Sequence, residues 1–370
     1  MYLPQAFGGA QSSTHELATA LTRRGHTAGV AAMLSPSGFV GLQTRLLSRL
    51  LPRRKVRDTF LGYSVYRRWK VQDALPELVD EFRPDFAVVQ PSCQVPLARE
   101  FARLGVPVAV YLRDVEWYQL EGDPRELRNV TFIANSHFTA ERFQEAFSLP
   151  AVVIPPVFKA QDYRTVSSGD NVTFINPHPH KGVGIAAKLV AKCPDIPFCF
   201  VRSWDIPEQE TFLCELKRKN QNLTLARPTR RMKDIYRRAK ILLAPSRWEE
   251  AWGRVATEAQ FSGIPVLASN KGGLPESVGP GGIQLDPDGP IENWVEALRR
   301  MWFDKAFYAD LSAKALAYAE RPQINPERQI DLLLETAQGA IRGGNFALTA
   351  SVSRNDSHGP HQFSRERIGS

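Results

Sequence analysis

Long hydrophobic runs are missing from this chain: nowhere in its 370 residues do about eighteen apolar residues follow one another, so no membrane-spanning helix is expected. Cysteine is scarce. Cys93, Cys193, Cys199 and Cys214 show no C-x-x-C spacing, and no recognisable signal peptide precedes them; this argues against a disulfide framework and a structural zinc site and favours a reducing cytoplasm. No repeat of 20 to 50 residues is apparent, which argues against a solenoid or a propeller. Zinc-finger spacing, a basic zipper and an aromatic RNA-binding strand motif are also lacking, so nucleic acid is not an expected partner.

What remains is a composition of ordinary globular character, 43% hydrophobic and 23% charged, on a chain long enough for two separate cores. The net charge of +8 and a pI near 9.4 bias it toward anionic partners such as phosphates and acidic lipids. Short apolar runs alternate with amphipathic segments: "DFAVVQ", "VPVAVYL", "VTFIAN" and "AVVIPP", then "NVTFIN", "IPFCFV", "NLTLA", "AKILLAPS" and "IPVLAS". Parallel strands buried on both faces read this way when helices lie between them, which predicts an α/β protein with two doubly wound sheets. Turn formers over 155–171 mark the linker. We therefore expect a Rossmann-like domain over 1–162, a second over 163–325, a helix within 326–341 and a disordered Gly-, Ser- and His-rich tail over 342–370.

The chemistry concentrates in "PSRWEEAWGRVATEAQFSGIPVLAS" (245–269), where Glu250 and Glu258 frame an aromatic residue, a glycine and an arginine. Even if the whole segment were helical, eight residues would separate the two backbones by roughly 12 Å. Paired carboxylates of glycosidases work at roughly 5 to 9.5 Å. The spacing favours two contacts on an extended ligand over an acid and base pair, although two glutamates on an exposed helix face would look the same. Gly263 after "ATEAQFS" is a natural helix end, and Gly253 falls at the helix start, where backbone N–H groups can receive a diphosphate.

The stretch "PSRWEEAWGRVATEAQFSGIPVLASNKGGLPE" resembles the E-x7-E signature region of family 4 glycosyltransferases: Pro245-Ser246, Glu250-Ala251-Trp252-Gly253, Glu258, Gly263-Ile264-Pro265-Val266 and Gly272-Gly273-Leu274-Pro275-Glu276 follow in that family's order. By this resemblance Glu250 contacts hydroxyls of a donor sugar, the amides of Ala251, Trp252, Gly253, Arg254 and Val255 hold sugar and phosphate, and Glu258 accepts from ribose hydroxyls. Ala251 and Trp252 replace the usual Gly and Phe, a change expected to narrow the sugar pocket. "VTFINPHPHKGVGIAAKLV" resembles the strand, loop and helix that open the family's second domain, and Lys181 falls on its diphosphate-binding lysine. Asn176 stands where an arginine is usual, which makes Arg230 or Arg231 the candidate replacement. The histidines flanking Lys181, His178 and His180, lack a third ligand and read as loop residues.

"AFGGAQSSTHELATALTRRGHTAGVAA" resembles the glycine-rich opening of the family's first domain, with Gly8 and Gly9 approaching the reacting centre and Leu17, Ala20 and Leu21 facing the core. The strand that normally opens that domain is missing ahead of "MYLPQAF", so a seam is expected in the middle of the first sheet. Arg113 in "VPVAVYLRDVEWYQL" stands where many members place a histidine; it reads either as an anchor for an anionic acceptor or as a partner of Asp114 or Glu116. Residues 41–58, "GLQTRLLSRLLPRRKVRD", read equally as an amphipathic segment lying on an anionic membrane surface and as a helix packed on its own domain with a basic rim.

The resemblance covers about residues 1–341. It implies the GT-B fold, two Rossmann-like domains facing a cleft, and retaining transfer of a sugar from a nucleotide diphosphate sugar to a glycan, lipid or small-molecule hydroxyl, in the cytoplasm or at the inner face of the membrane and in cell-surface polysaccharide or glycolipid synthesis. Lys181, Glu250 and Arg113 would serve the reacting centre, with no metal and no cofactor beyond the donor. A degenerate nucleotide-sugar binder and a sugar-nucleotide epimerase are the alternatives.

Overall fold

The computed structural model describes residues 1–35, 56–203 and 207–343. The second half is built on one six-stranded parallel sheet. In the first half, β1 (Gly29–Met33), β2 (Val56–Asp58) and β3 (Ser64–Arg68) form one sheet in the order β1-β3-β2, with β1 parallel and β2 antiparallel to β3. A second, wholly parallel sheet holds β4 (Ala87–Val89), β5 (Val108–Leu112), β6 (Val130–Ala134) and β7 (Val152–Val153) in sequence order.

The seam expected from the sequence lies between these two sheets. Among the described residues β1 pairs only with β3 and β4 only with β5, so each sheet keeps an open edge. Residues 1–6 make a turn in place of a strand, with the Tyr2 carbonyl accepting from the Gln5 and Ala6 amides. The turn is held from the three-stranded sheet: the Tyr2 and Tyr63 hydroxyls lie 2.5 Å apart, and the Arg67 guanidinium donates to the Leu3 carbonyl. Helix Gly9–Arg23 spans the seam. Its Leu17 packs with Ala109, Tyr111 and Ile133 of the four-stranded sheet, whereas Ala18 packs with Ala32 and Val65 of the three-stranded one.

Two expectations change here. Of the basic segment 41–58, residues 56–58 belong to strand β2, because an antiparallel hairpin with β3 satisfies their backbone groups; residues 41–55 lie outside the described residues. Of the tail 342–370, Arg342 and Gly343 close the last helix, and 344–370 lie outside the described residues. Among the described residues no helix is long and apolar enough to cross a membrane.

The strands of the second half are β8 (Asn171–Ile175), β9 (Phe198–Val201), β10 (Leu223–Ala226), β11 (Ala239–Ala244), β12 (Val266–Ser269) and β13 (Gly282–Leu285), all parallel in the order β10-β9-β8-β11-β12-β13. In β11, Ile241 and Leu243 enter one core and Leu242 and Ala244 the other. Burial on both faces is why the strand reads as a continuous apolar run. Strand order reverses between β8 and β11, and loops leaving such a pair diverge to opposite faces, opening a crevice at their carboxyl ends. The loop after β8 carries Lys181; the loop after β11 carries Glu250.

These two loops are locked together. The His180 carbonyl accepts from the Arg247 and Trp248 amides at 2.9 and 3.1 Å and from the Ser246 hydroxyl at 3.2 Å. Gly182, at φ 82°, passes so close that a Cβ there would overlap the Pro245 carbonyl. From the other side, Cβ atoms on Gly272 or Gly273 would overlap the backbone of Glu250 and Ala251. The motif glycines therefore serve close approach of backbones.

The chain runs between the halves over residues 154–170, and helix Pro326–Ile341 then returns to the first half. Its Ile330 and Leu333 are buried beside Leu17, Tyr111 and Ile133, each contributing about 1.5–3 kcal/mol. The Gln329 amide donates to the Pro155 and Pro156 carbonyls, and Arg24 pairs with Glu327 and Asp331.

Two outcomes follow. Fusing an apolar strand upstream of Met1 should fill the seam and raise the melting temperature by at least ~3 °C, roughly 1 kcal/mol for a domain of this size; equal melting temperatures would contradict the seam. Gly182→Ala should destabilise the second half by about 2 kcal/mol or more in denaturant unfolding, since it meets both a left-handed backbone and a carbonyl.

Candidate functional site

The crevice at β8 and β11 is closed from above by the first half, enclosing a cavity of about 750 Å³, within the size range of ligand pockets. Glu250 and Lys181 meet across it, carboxylate to ammonium, at 2.9 Å. Both are half-buried, and the loop interlock described above holds them there. Glu258 sits deeper, on helix Arg254–Gln260, only 7% exposed. One of its oxygens accepts from the Tyr236 hydroxyl at 2.9 Å and the other from Arg254 Nε at 3.2 Å. Burial pushes the Glu258 carboxyl above the usual carboxylate range, although Arg254 and Tyr236 oppose it. A carboxylate offers about four lone-pair sites, so capacity remains for two further donors.

Gly253 precedes that helix with φ 82°, and the first-turn N–H groups of Arg254 and Val255 have no acceptor within the helix. All three residues line the cavity. The Arg254 side chain does something the sequence reading missed. Its guanidinium donates to the Ser13 hydroxyl at 2.7 Å, the Glu16 carboxylate at 2.9 Å, the Tyr163 hydroxyl at 3.0 Å and the Val157 carbonyl at 3.3 Å, and lies 4.2 Å over the Phe158 ring. It ties the second half to the helix Gly9–Arg23 of the first. Burial disfavours its charge, but Glu16, Tyr163 and Glu258 outweigh that and raise its pKa. The Cβ of a residue replacing Gly9 would come within 3.3 Å of the Arg254 side chain, so Gly9 makes room for this tie; Gly8 lines the cavity beside it.

More contacts cross between the halves. Glu276, last residue of the G-G-x-x-E motif, accepts from the His137 amide at 2.8 Å, at the start of helix His137–Phe147, and burial raises its carboxyl pKa. The Thr139 hydroxyl donates to the Ala251 carbonyl at 3.4 Å, and Arg142 lies 3.7 Å from Glu249. Arg230 stacks its guanidinium 3.9 Å over the Phe7 ring.

Other expectations are altered by geometry. Arg231 is not brought to the cavity: 81% of its side chain is exposed, and it pairs with Asp234 at 3.1 Å. Adjacent residues at a helix start point apart, and only Arg230 reaches the crevice. Arg202, paired with Glu210, lines the cavity beside Asn176, and no motif announced it. Trp252 is 3% exposed, donates to the Thr257 hydroxyl and packs among Phe158, Leu274 and Val278, so its bulk goes chiefly into the core. His178 and His180 stack on each other, and among the described residues no group of three potential metal ligands occurs.

Arg113 follows strand β5 on the first-half wall, its guanidinium 4.1 Å over the Tyr111 ring. It pairs with neither Asp114 nor Glu116. Asp114 lines the cavity and accepts from the Glu116 amide, while burial pushes its carboxyl up to about 6. Glu116 is engaged by Tyr118 and Gln119.

Known proteins share this architecture. The sequence model of the family described as Glycosyltransferase Family 4 matches residues 7–160, and that of Glycosyl transferases group 1 matches residues 178–317. A D-inositol 3-phosphate glycosyltransferase of Rhodococcus opacus is 37% identical over 138 residues, 37% of this chain and 28% of that protein; one of Saccharomonospora viridis is 37% identical over 115 residues, 30% and 26% of the two chains. The matched part thus spans little more than a quarter of these relatives. Among solved structures, a glycosyltransferase of Rickettsia africae superposes with TM-score 0.72 at 15% identity, covering 92% of this chain and 97% of the other. Anabaena HepE in complex with UDP-glucose superposes with TM-score 0.72 at 17% identity over 90% and 97%. These neighbours share the GT-B fold, two Rossmann-like domains facing a cleft. With family matches on both domains, the chain belongs to glycosyltransferase family 4.

Proposed function

We propose that the protein transfers a sugar from a nucleotide diphosphate sugar to an acceptor hydroxyl, with retention at the anomeric carbon. The observation that carries this reading is the Lys181–Glu250 contact at 2.9 Å. A cation suited to phosphate and a carboxylate suited to sugar hydroxyls stand side by side, which is what the junction of sugar and diphosphate requires. Glu258, deeper in the crevice with Tyr236 and Arg254 fixing its carboxylate, takes the ribose hydroxyls. Anabaena HepE, crystallised with UDP-glucose, supports a nucleotide sugar in such a crevice.

In the reaction the bond from C1 to the diphosphate oxygen breaks and a bond from C1 to the acceptor oxygen forms on the same face. The acceptor proton passes to the departing diphosphate oxygen. Lys181 and the amides at Gly253, Arg254 and Val255 stabilise the charge that develops there, and Arg230 adds a second cation in place of the arginine absent at Asn176. On this reading neither a protein nucleophile nor a metal is needed. The acceptor enters from the first-half wall, where Gly8, Gly9 and Arg113 lie. The relatives' names point to a phosphorylated cyclitol, among the glycan, lipid and small-molecule hydroxyls that the cleft could serve. We place the reaction in the cytoplasm, in cell-surface polysaccharide or glycolipid synthesis.

Two measurements test the proposal. In a thermal-shift screen against UDP-, GDP-, ADP- and TDP-sugars, one donor should stabilise the protein by about 2.7 kcal/mol at a hundredfold excess over its Kd; slow release of nucleotide diphosphate separates an enzyme from a degenerate binder. The second separates the two glutamates. Glu258→Gln should weaken free nucleotide diphosphate and nucleotide sugar alike, by about tenfold or more. Glu250→Ala should weaken the nucleotide sugar while leaving the free diphosphate as tight or tighter, because it frees Lys181. Parallel losses for both ligands in Glu250→Ala would contradict the division.

A further inference from the structure

The first-half wall of the cavity holds a cation that has no bonded counter-ion among the described residues. Arg113 stacks on Tyr111, its Nε is shut off from solvent without an acceptor, and among the described residues its guanidinium has no hydrogen-bond or ion-pair partner. The carboxylates nearby bond to other groups. Both oxygens of Glu16 are taken, one by Arg254 and one by the Tyr163 hydroxyl at 2.8 Å. Asp114 accepts from a backbone amide, and Glu116 from Tyr118 and Gln119. Burial disfavours the Arg113 charge most strongly and Arg254 adds to that, while Tyr111, Glu16 and Tyr2 oppose it only in part. A withdrawn guanidinium without a counter-ion is costly unless an anion joins it.

We propose that Arg113 binds an anionic group, a phosphate, on the acceptor, and so selects phosphorylated over neutral hydroxyl compounds. This rests on the transfer reaction proposed above. The donor diphosphate has its own cations, Lys181 and Arg230, on the second half. Arg113 stands on the opposite wall, beyond Gly8 and Gly9, where the acceptor must approach. A guanidinium fork suits a phosphate in that place better than a lysine would.

The experiment uses the full chain saturated with the nucleotide diphosphate found in the donor screen, titrated with inorganic phosphate, myo-inositol 1-phosphate and myo-inositol and read by melting temperature. Both anionic probes should raise it further, and myo-inositol should not. Arg113→Met should weaken the anionic probes by about tenfold or more, the size of one lost charge-assisted contact, with nucleotide affinity unchanged. Arg113→Lys should recover part of the loss, and the melting temperatures of both variants without ligand check that they fold. The proposal is overturned if the anionic probes fail to bind the wild type or bind Arg113→Met equally well, and also if Arg113→Met loses nucleotide affinity, which would assign Arg113 to the donor. If no nucleotide diphosphate binds at all, the transfer reading fails by itself, and the same titration without nucleotide still decides the anion site.

Discussion

The guanidinium of Arg254 is the constraint on which the cleft depends. A buried cation must be satisfied on every side, and this one takes its acceptors from the helix Gly9–Arg23, from the linker at Val157 and Tyr163, and from Glu258 on its own helix. Removing one member of such an arrangement leaves the others charged and dry, at a cost of about 3–5 kcal/mol. Because the acceptors belong to both halves, that cost fixes how the walls face each other. It also fixes the rotamer of Glu258, since Arg254 holds one oxygen and Tyr236 the other. A residue inside the signature thus acts first as a joint between domains, while its backbone lines the crevice.

The motif glycines make a second constraint of the same kind. Gly182, Gly272 and Gly273 let three loops stack backbone on backbone, and the stack sets the separation of Lys181 and Glu250. Neither side chain is placed by its own rotamer alone. The two neutralise each other, so a half-buried carboxylate and ammonium avoid the penalty of standing unpaired. On the proposed function, binding a diphosphate sugar would be an exchange, in which phosphate takes the ammonium and sugar hydroxyls take the carboxylate.

Much of this was legible in the sequence, because the signals are local. Continuous apolar runs in β5 and β11 report burial on both faces, and Gly253 followed by "RVATEAQ" marks a helix start that the structure reproduces. Ser136, a residue type that favours helix starts, caps its helix by accepting from the Thr139 amide. What escaped is non-local. Arg254 meets Ser13 across 241 positions, and no spacing rule connects them. Tyr236 reads as an ordinary core residue until its hydroxyl is seen on Glu258. The hairpin of β2 and β3 was hidden because β2 follows a basic amphipathic stretch whose pattern dominates the local reading. Arg230 and Arg231 are equivalent as letters, and only the direction each takes at the helix start separates them.

The seam and the site are linked through one helix. Gly9–Arg23 lies across the gap between the three- and four-stranded sheets, with Ala18 on one and Leu17 on the other, and the same helix presents Ser13 and Glu16 to Arg254. Its C-terminal side is further held through Arg24 to Glu327 and Asp331 on the returning helix. The helix is thus tied by groups outside the two sheets that it spans. Among the described residues β1 and β4 each lack a second strand neighbour. The clamp at the N-terminal end is the Arg254 network itself, so looseness at the seam must be resisted by the interaction that orients Glu258. Stability of the first sheet and geometry of the crevice are therefore coupled, although among the described residues no hydrogen bond or ion pair joins a seam residue to Glu250 or Glu258.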